Sequence, residues 1–253
     1  MIQEVNLRVD NLKIAGQLFL PDNGRGPFSA VILCHGVPSG AVDPTDGGYP
    51  LLAQTLASEG LAVYTFRFRG AGESEGNFDI LGWLRDLQSA VQYMMTEGTP
   101  KSRLALVGFS AGAAVAICAA AADSRIAAVA ACASPLDFSA ISQAENPQYT
   151  VAYFRKIGII RDENFPPSLP AWLDNFRRIS ALACVEKLSP RPLLLLHSKG
   201  DRVVPSACSQ KLYLRAGEPK QIEIFEGEEH RLRKHPEAVK RLSVWLKETL
   251  KDG

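Results

Sequence analysis

Charge imbalance is the first thing this sequence lacks. Its 28 Lys and Arg stand against 27 Asp and Glu, a formal +1 over 253 residues, so neither a nucleic-acid nor an anionic-membrane partner has an electrostatic case. Membrane-spanning runs are missing too: the apolar stretch 113–133 is broken by Asp123-Ser124-Arg125. The start, Met1-Ile2-Gln3-Glu4-Val5, has neither the basic end nor the apolar core of a signal peptide, and the expected location is cytoplasmic. Cysteine is sparse and odd in number: Cys34, Cys118, Cys132, Cys184 and Cys208 show no metal-ligand spacing. They read as reduced thiols, and no metal site is expected. There is no internal repeat and no low-complexity linker, and nothing sets an oligomeric state. What remains is a chain with 46% hydrophobic residues, enough for one large α/β domain or two small ones.

The apolar residues are arranged in alternating short and long periods. Residues 3–20 alternate loosely about Asp10-Asn11, which predicts an antiparallel hairpin at a sheet edge. Nearly unbroken apolar segments at 28–34, 62–68, 103–109, 126–132, 192–197 and 221–225 predict strands covered on both faces. Between them, helical spacing marks 50–59, with Leu51, Leu52 and Leu56 on one face, then 80–95, 113–122, 206–216 and 236–250. A loop is expected from His35-Gly36-Val37-Pro38-Ser39-Gly40 to Gly48. Such alternation predicts a mostly parallel central sheet flanked by helices. Residues 137–188 break the rhythm, since an ordinary crossover needs only about a dozen residues. That segment is rich in aromatics, with Tyr153, Trp172 and Phe176 among them, and it predicts a helical cap inserted over the carboxyl edge of the sheet. The expected division is a core of 1–136 and 189–253, and a cap of 137–188. Tyr153, Trp172 and Phe176 are the expected walls of an apolar pocket.

The chemistry centres on Gly108-Phe109-Ser110-Ala111-Gly112, which lies between a buried strand and an alanine-rich helix. A serine at the tip of a tight strand-to-helix turn is held in a strained conformation with its hydroxyl exposed. Glycines two places either side let strand and helix approach where a Cβ would collide. The start of the helix aims unpaired N–H groups at the place where an oxyanion would form. Backbone amides of Ala111 and Val37 are the expected oxyanion donors. The His35 side chain is expected to bond loop backbone. Asp201 follows the strand 192–197 and His230 follows the strand 221–225, giving the order Ser110, Asp201, His230. Two rivals compete. His235 precedes Pro236 and suits a helix cap, and Asp137 suits a cap of the first helix in the insert. Glu228-Glu229 suits a solvated loop face. The glycines of Arg69-Gly70-Ala71-Gly72 are misplaced for a dinucleotide loop.

With these motifs in order, the chain resembles the α/β-hydrolase superfamily along nearly its whole length. It is similar to the small esterase-like and serine-aminopeptidase-like branch, which includes bacterial feruloyl or cinnamoyl esterases. The matching stretches are His35-Gly36, Arg69-Gly70-Ala71-Gly72-Glu73-Ser74, the Ser110 turn, Gly200-Asp201-Arg202-Val203-Val204-Pro205 and His230. One departure is Arg67, where many relatives carry Asp. The resemblance implies the α/β-hydrolase fold, a Ser110–His230–Asp201 triad, no cofactor, and hydrolysis through an acyl-enzyme. The expected substrate is a small-molecule carboxylic ester with a small to medium, apolar or aromatic acyl group. One alternative is a peptidase releasing N-terminal residues, for which Glu145 or Asp162 would have to hold the substrate amine. Another is an idle hydrolase fold used as a binding module, although such a role requires none of the three residues.

Overall fold

The computed structural model describes residues 1–22, 28–38, 47–98 and 103–251. Its strands are β1 (Ile2–Glu4), β2 (Leu7–Val9), β3 (Leu12–Ile14), β4 (Gly16–Phe19), β5 (Ala30–Cys34), β6 (Ala62–Phe66), β7 (Leu104–Phe109), β8 (Ile126–Cys132), β9 (Leu193–Ser198) and β10 (Lys220–Phe225). Eight of them form one sheet in the order β1-β4-β6-β5-β7-β8-β9-β10. From β6 through β10 every pairing is parallel, while β4 and β1 add antiparallel at one edge. Strands buried on both faces need apolar residues at every position, which explains the unbroken runs Ala30–Cys34 and Leu104–Phe109. The side chains of 30, 32 and 34 enter one core and those of 31 and 33 the other.

Helices α1 (Gly48–Ser58), α2 (Ile80–Tyr93) and α3 (Ala111–Ala122) follow β5, β6 and β7 in turn. Asp79 caps α2 by accepting the Gly82 N–H at 3.0 Å. In α3 ten of twelve residues are buried, as a helix apolar on all sides must be. Beyond β8 come α4 (Ser139–Ser142), α5 (Pro147–Lys156), α6 (Leu169–Arg177), α7 (Ala181–Cys184) and a 3₁₀ turn Val185–Leu188. Then α8 (Ala207–Arg215) follows β9, and α9 (Pro236–Thr249) follows β10. Helices α2, α3 and α8 cover one face of the sheet, and α1 and α9 the other. Among the described residues no helix is long and apolar enough to cross a membrane.

Three expectations change. The hairpin about Asp10-Asn11 forms, with both residues at positive φ, but β2 and β3 make a separate ribbon, and the sheet edge is β1 with β4. The ribbon leaves the sheet because the Lys13 and Ala15 N–H groups go to Glu75 Oε2 (2.7 Å) and Ser74 Oγ (2.9 Å). On α1 the buried face is Leu52, Ala53, Leu56 and Ala57, and Leu51 is exposed. Finally, α2 closes on a π turn, Met94–Gly98. The expected loop to Gly48 lies, from Ser39 to Asp46, outside the described residues.

The segment between β8 and β9 packs its aromatics into the body. Phe176 touches Phe78, Phe138 and Trp172, and Phe78 in turn stacks edge-on against Trp83 of α2. The Trp172 indole N–H donates to the Phe78 carbonyl at 2.9 Å. Trp172 is 3% exposed and Phe176 0%, whereas Tyr153 is 49% exposed. Deleting a fully enclosed aromatic leaves a cavity, so Phe176→Ala is expected to destabilise the protein by about 3–5 kcal/mol. Urea unfolding followed by circular dichroism checks this; a loss below about 1 kcal/mol would mean that the side chain is not part of the core.

Candidate active site

The site starts from a steric constraint at the end of β7. Ser110 has φ +52° and ψ −125°, a conformation sparsely populated by residues with a Cβ. Its N–H is held by the Cys132 carbonyl at 2.8 Å. A Cβ at Gly108 would lie 2.4 Å from Ala113 Cα, and one at Gly112 2.3 Å from the His35 carbonyl oxygen. Both contacts are with backbone, which cannot swing away. The two glycines thus let α3 sit against the ends of β7 and β5. Gly36 is a third such position: its Cβ would lie 2.8 Å from Ser110 Cβ and 3.4 Å from Ser110 Oγ. The loop His35–Val37 therefore passes directly beside the serine, with Val37 following Gly36 and Ala111 opening α3. As the first residue of the helix, Ala111 has an N–H with no acceptor earlier in it.

His35 serves that loop as a brace. Its Nε2 accepts the Phe68 N–H at 2.9 Å, so its Nδ1–H donates to the Gly36 carbonyl at 2.6 Å. Burial holds the ring down to about 4; the Gly36 bond opposes the shift and the Arg67 charge adds to it. Tyr49, at the start of α1, packs edge-on against Phe109 and shares a backbone hydrogen bond with Gly36. Burial pushes its phenol up to about 12, against the pull of Arg233, Gly36 and Arg67.

The candidate acid and base, Asp201 and His230, lie on two loops that are tied together. Gly200 N–H donates to Gly227 O at 2.8 Å, Lys199 N–H to Phe225 O at 2.8 Å, and Ser198 Oγ–H to Glu229 O at 2.7 Å. His230 is thereby brought against Asp201, and its Nδ1–H donates to Asp201 Oδ2 at 2.6 Å. Asp201 Oδ1 accepts the N–H groups of Val203 (2.8 Å) and Val204 (3.0 Å). Burial pushes the Asp201 carboxyl up, but the bonds from His230, Val204 and Val203 outweigh it and hold it below the ordinary carboxylate value. With Nδ1 donating, Nε2 of His230 is left as the acceptor.

Behind this pair stands His197, which sequence reasoning missed. It is fully buried in β9, donates Nε2–H to Val204 O at 2.8 Å, and has that nitrogen 3.3 Å from Asp201 Oδ2. Its Nδ1 accepts from Ser209 Oγ at 2.7 Å, and burial lowers its pKa. A histidine ending four leucines in a buried strand is the signal that marks it, because buried polar groups are bonded ones.

The rivals lie elsewhere. His235 Nδ1 accepts the Ala238 N–H at 3.3 Å and caps α9, and Asp137 is exposed with Oδ1 accepting the Ser139 N–H. Glu228 pairs with Arg202 on the surface, and Glu229 accepts from the Arg231 N–H. Glu145 and Asp162 are both exposed, and Asp162 Oδ1 is taken by the Asn164 N–H. Among the described residues no group of His, Cys, Asp and Glu is placed to hold a metal ion.

A parallel-core sheet of this order, carrying a strained serine after β7, a carboxylate after β9 and a histidine after β10, has the architecture of the α/β-hydrolase fold. Residues 31–242 match the model of the alpha/beta hydrolase family, and the chain belongs to that family. It is 32% identical to the YfhR protein of Salmonella typhi over 172 residues, 67% of this chain and 55% of that protein's length. The chain thus spans little more than half of that relative. Over 222 residues it is 27% identical to Rv2307c of Mycobacterium tuberculosis, covering 87% of this chain and 69% of that one. Among solved structures, the alpha/beta hydrolase GrgF of Penicillium sp. sh18 superposes with a TM-score of 0.76 at 20% identity, covering 99% of each chain. The Pyrococcus furiosus esterase Pf2001 superposes at 0.73 and 20% identity, covering 99% of this chain and 92% of that one.

The buried His35 gives a pH test. Its folded pKa lies below its unfolded value near 6.5, so the unfolded chain binds the proton first. Stability is fully present above about 6.5 and falls towards about 4, by at most about 1.4 kcal/mol per pH unit for one such histidine. His35→Gln is expected to flatten that slope in urea titrations between pH 4 and 7; an unchanged slope would assign it to other groups.

Proposed function

We propose that this protein is a cytoplasmic serine hydrolase that cleaves carboxylic esters of small molecules through an acyl-enzyme. The observation that supports it is the His230–Asp201 hydrogen bond, formed two strands from a serine held at positive φ. Strands lie about 4.8 Å apart, so about 10 Å separates the backbones of the Ser110 and Asp201 loops, a gap in which both side chains can reach one imidazole. Ser110 Oγ attacks the ester carbonyl carbon while its proton passes to His230 Nε2. The oxyanion is held by the amides of Ala111 and Val37. Collapse breaks the bond to the alcohol oxygen, which takes the proton back from His230 and leaves. Water then repeats the sequence on the acyl-serine, releasing the acid and restoring Ser110. Asp201 keeps the ring in the right tautomer and balances the imidazolium. The reduced state of all five cysteines suits a reducing compartment.

In this reading residues 137–188 cap the core formed by 1–136 and 189–253. The cap reaches the Arg-Gly-Ala-Gly turn through Arg161, whose guanidinium donates to the carbonyls of Gly72 and Ser74. A small to medium acyl group, apolar or aromatic, is the proposed substrate class. Trp172 and Phe176 stiffen the cap, since packing already encloses both, and Tyr153 is the one of the three with surface to offer. A fluorophosphonate probe is expected to label the native protein and not Ser110→Ala. His230→Ala and Asp201→Ala should fold and lose several orders of magnitude in kcat, with His235→Ala and Asp137→Ala largely active. A folded, inactive Asp137→Ala beside an active Asp201→Ala would overturn the acid assignment.

A further inference from the structure

Three arginines surround the turn that follows β6, and two of them are committed. Arg69 is buried, with its guanidinium on Asp86 (2.7 Å) and Asp10 (2.9 Å). Arg161 donates to the carbonyls of Gly158, Ser74 and Gly72. Arg67 is half-buried, and among the described residues its guanidinium has no carboxylate within ion-pair distance and no carbonyl acceptor. Its backbone is fixed all the same: the N–H donates to Ala15 O at 2.8 Å, and the carbonyl accepts from Ser74 Oγ at 2.5 Å. Its stem lies along Gly72, where a Cβ would meet Arg67 Cγ at 3.2 Å and Nε at 3.6 Å. Among the described residues the charge therefore meets no anion, and its stem lies against Gly72.

The position of this charge is informative. In the parallel register Leu33 faces Thr65 and Cys34 faces Gly108, so Arg67 stands level with His35, and Gly36 level with Ser110. With strands about 4.8 Å apart, Arg67 begins about 10 Å from the serine across the carboxyl edge. The bond from Phe68 N–H to His35 Nε2 fastens the two strand ends together at that level. The Arg67 charge acts on the ring of His35 and on the phenol of Tyr49, both beside the loop that touches Ser110. Those two neighbours are neutral at neutral pH, so neither balances it.

We propose that Arg67 anchors a carboxylate carried by the substrate, so that the ester cleaved at Ser110 is a half-ester of a short dicarboxylic acid. The proposal rests on the reading of Ser110 as nucleophile and narrows its substrate class. A planar guanidinium matches a carboxylate with two parallel hydrogen bonds, and one such group balances one monoanion. The anchor contacts a part of the substrate that does not react, so its contribution falls on KM.

The test compares monomethyl glutarate with methyl 5-methylhexanoate, a neutral ester of the same shape. Arg67→Met is expected to lower kcat/KM for the half-ester about 10- to 100-fold through KM, the range of a charge-assisted hydrogen bond, and to leave the neutral ester within about twofold. Arg67→Lys should restore part of the loss. Equal effects on the two esters, or none on either, overturn the anchor. Calorimetry separates the anchor from the chemistry. Monomethyl glutarate should bind Ser110→Ala and bind Ser110→Ala/Arg67→Met at least about tenfold more weakly. Loss of binding with no hydrolysis by the native protein would refute the esterase reading and keep the anchor. Undiminished binding, or no binding to Ser110→Ala at all, would refute the anchor whatever the activity.

Discussion

Everything in this molecule depends on how closely α3 can approach the strand ends. At Gly112 the space for a Cβ is already filled by the His35 carbonyl oxygen, and at Gly108 by the backbone of Ala113. That contact forces Ser110 to positive φ and brings the loop after β5 against its hydroxyl, so strain and proximity have one origin. The alanine-rich face of α3 follows from the same demand, because a helix set this near a sheet has no room for long side chains. The strain persists because its surroundings over-determine it: Cys132 holds the Ser110 N–H from one side and the braced loop of His35 closes the other.

What the sequence made legible was whatever repeats or crowds. Strands buried on both faces show as unbroken apolar runs, and helices between them as 3.6-residue spacing, so the order of elements could be read before any coordinates. Ser110, Asp201 and His230 stood out because each follows such a run within a few residues. Less visible was anything set by contact across the fold. Asp86 looks like an ordinary polar residue of an amphipathic helix, yet it is fully buried against Arg69. Tyr49 lies 61 residues from Ser110 in the chain, and nothing nearby in sequence marks it as a neighbour of Gly36. The ribbon of β2 and β3 was missed as a separate unit because its departure depends on Ser74 and Glu75, about sixty residues further on. The aromatic segment misled in another way: composition told that large rings gather there, but not whether they face a ligand or one another.

The ties between the loops after β9 and β10 have a consequence for how such a protein can change. Asp201 and His230 are clamped by Ser198, Lys199 and Gly200 at one flank of the sheet, while Arg67 and the turn gripped by Arg161 stand at the other, with Ser110 between. In the proposed reading, the half that handles protons and the half that faces the substrate are thus separate modules on either side of Ser110. On that reading, substitutions or insertions on the Arg67 flank would alter which molecules are accepted without disturbing the pairing of Asp201 with His230, so selection could act on diet and on chemistry independently.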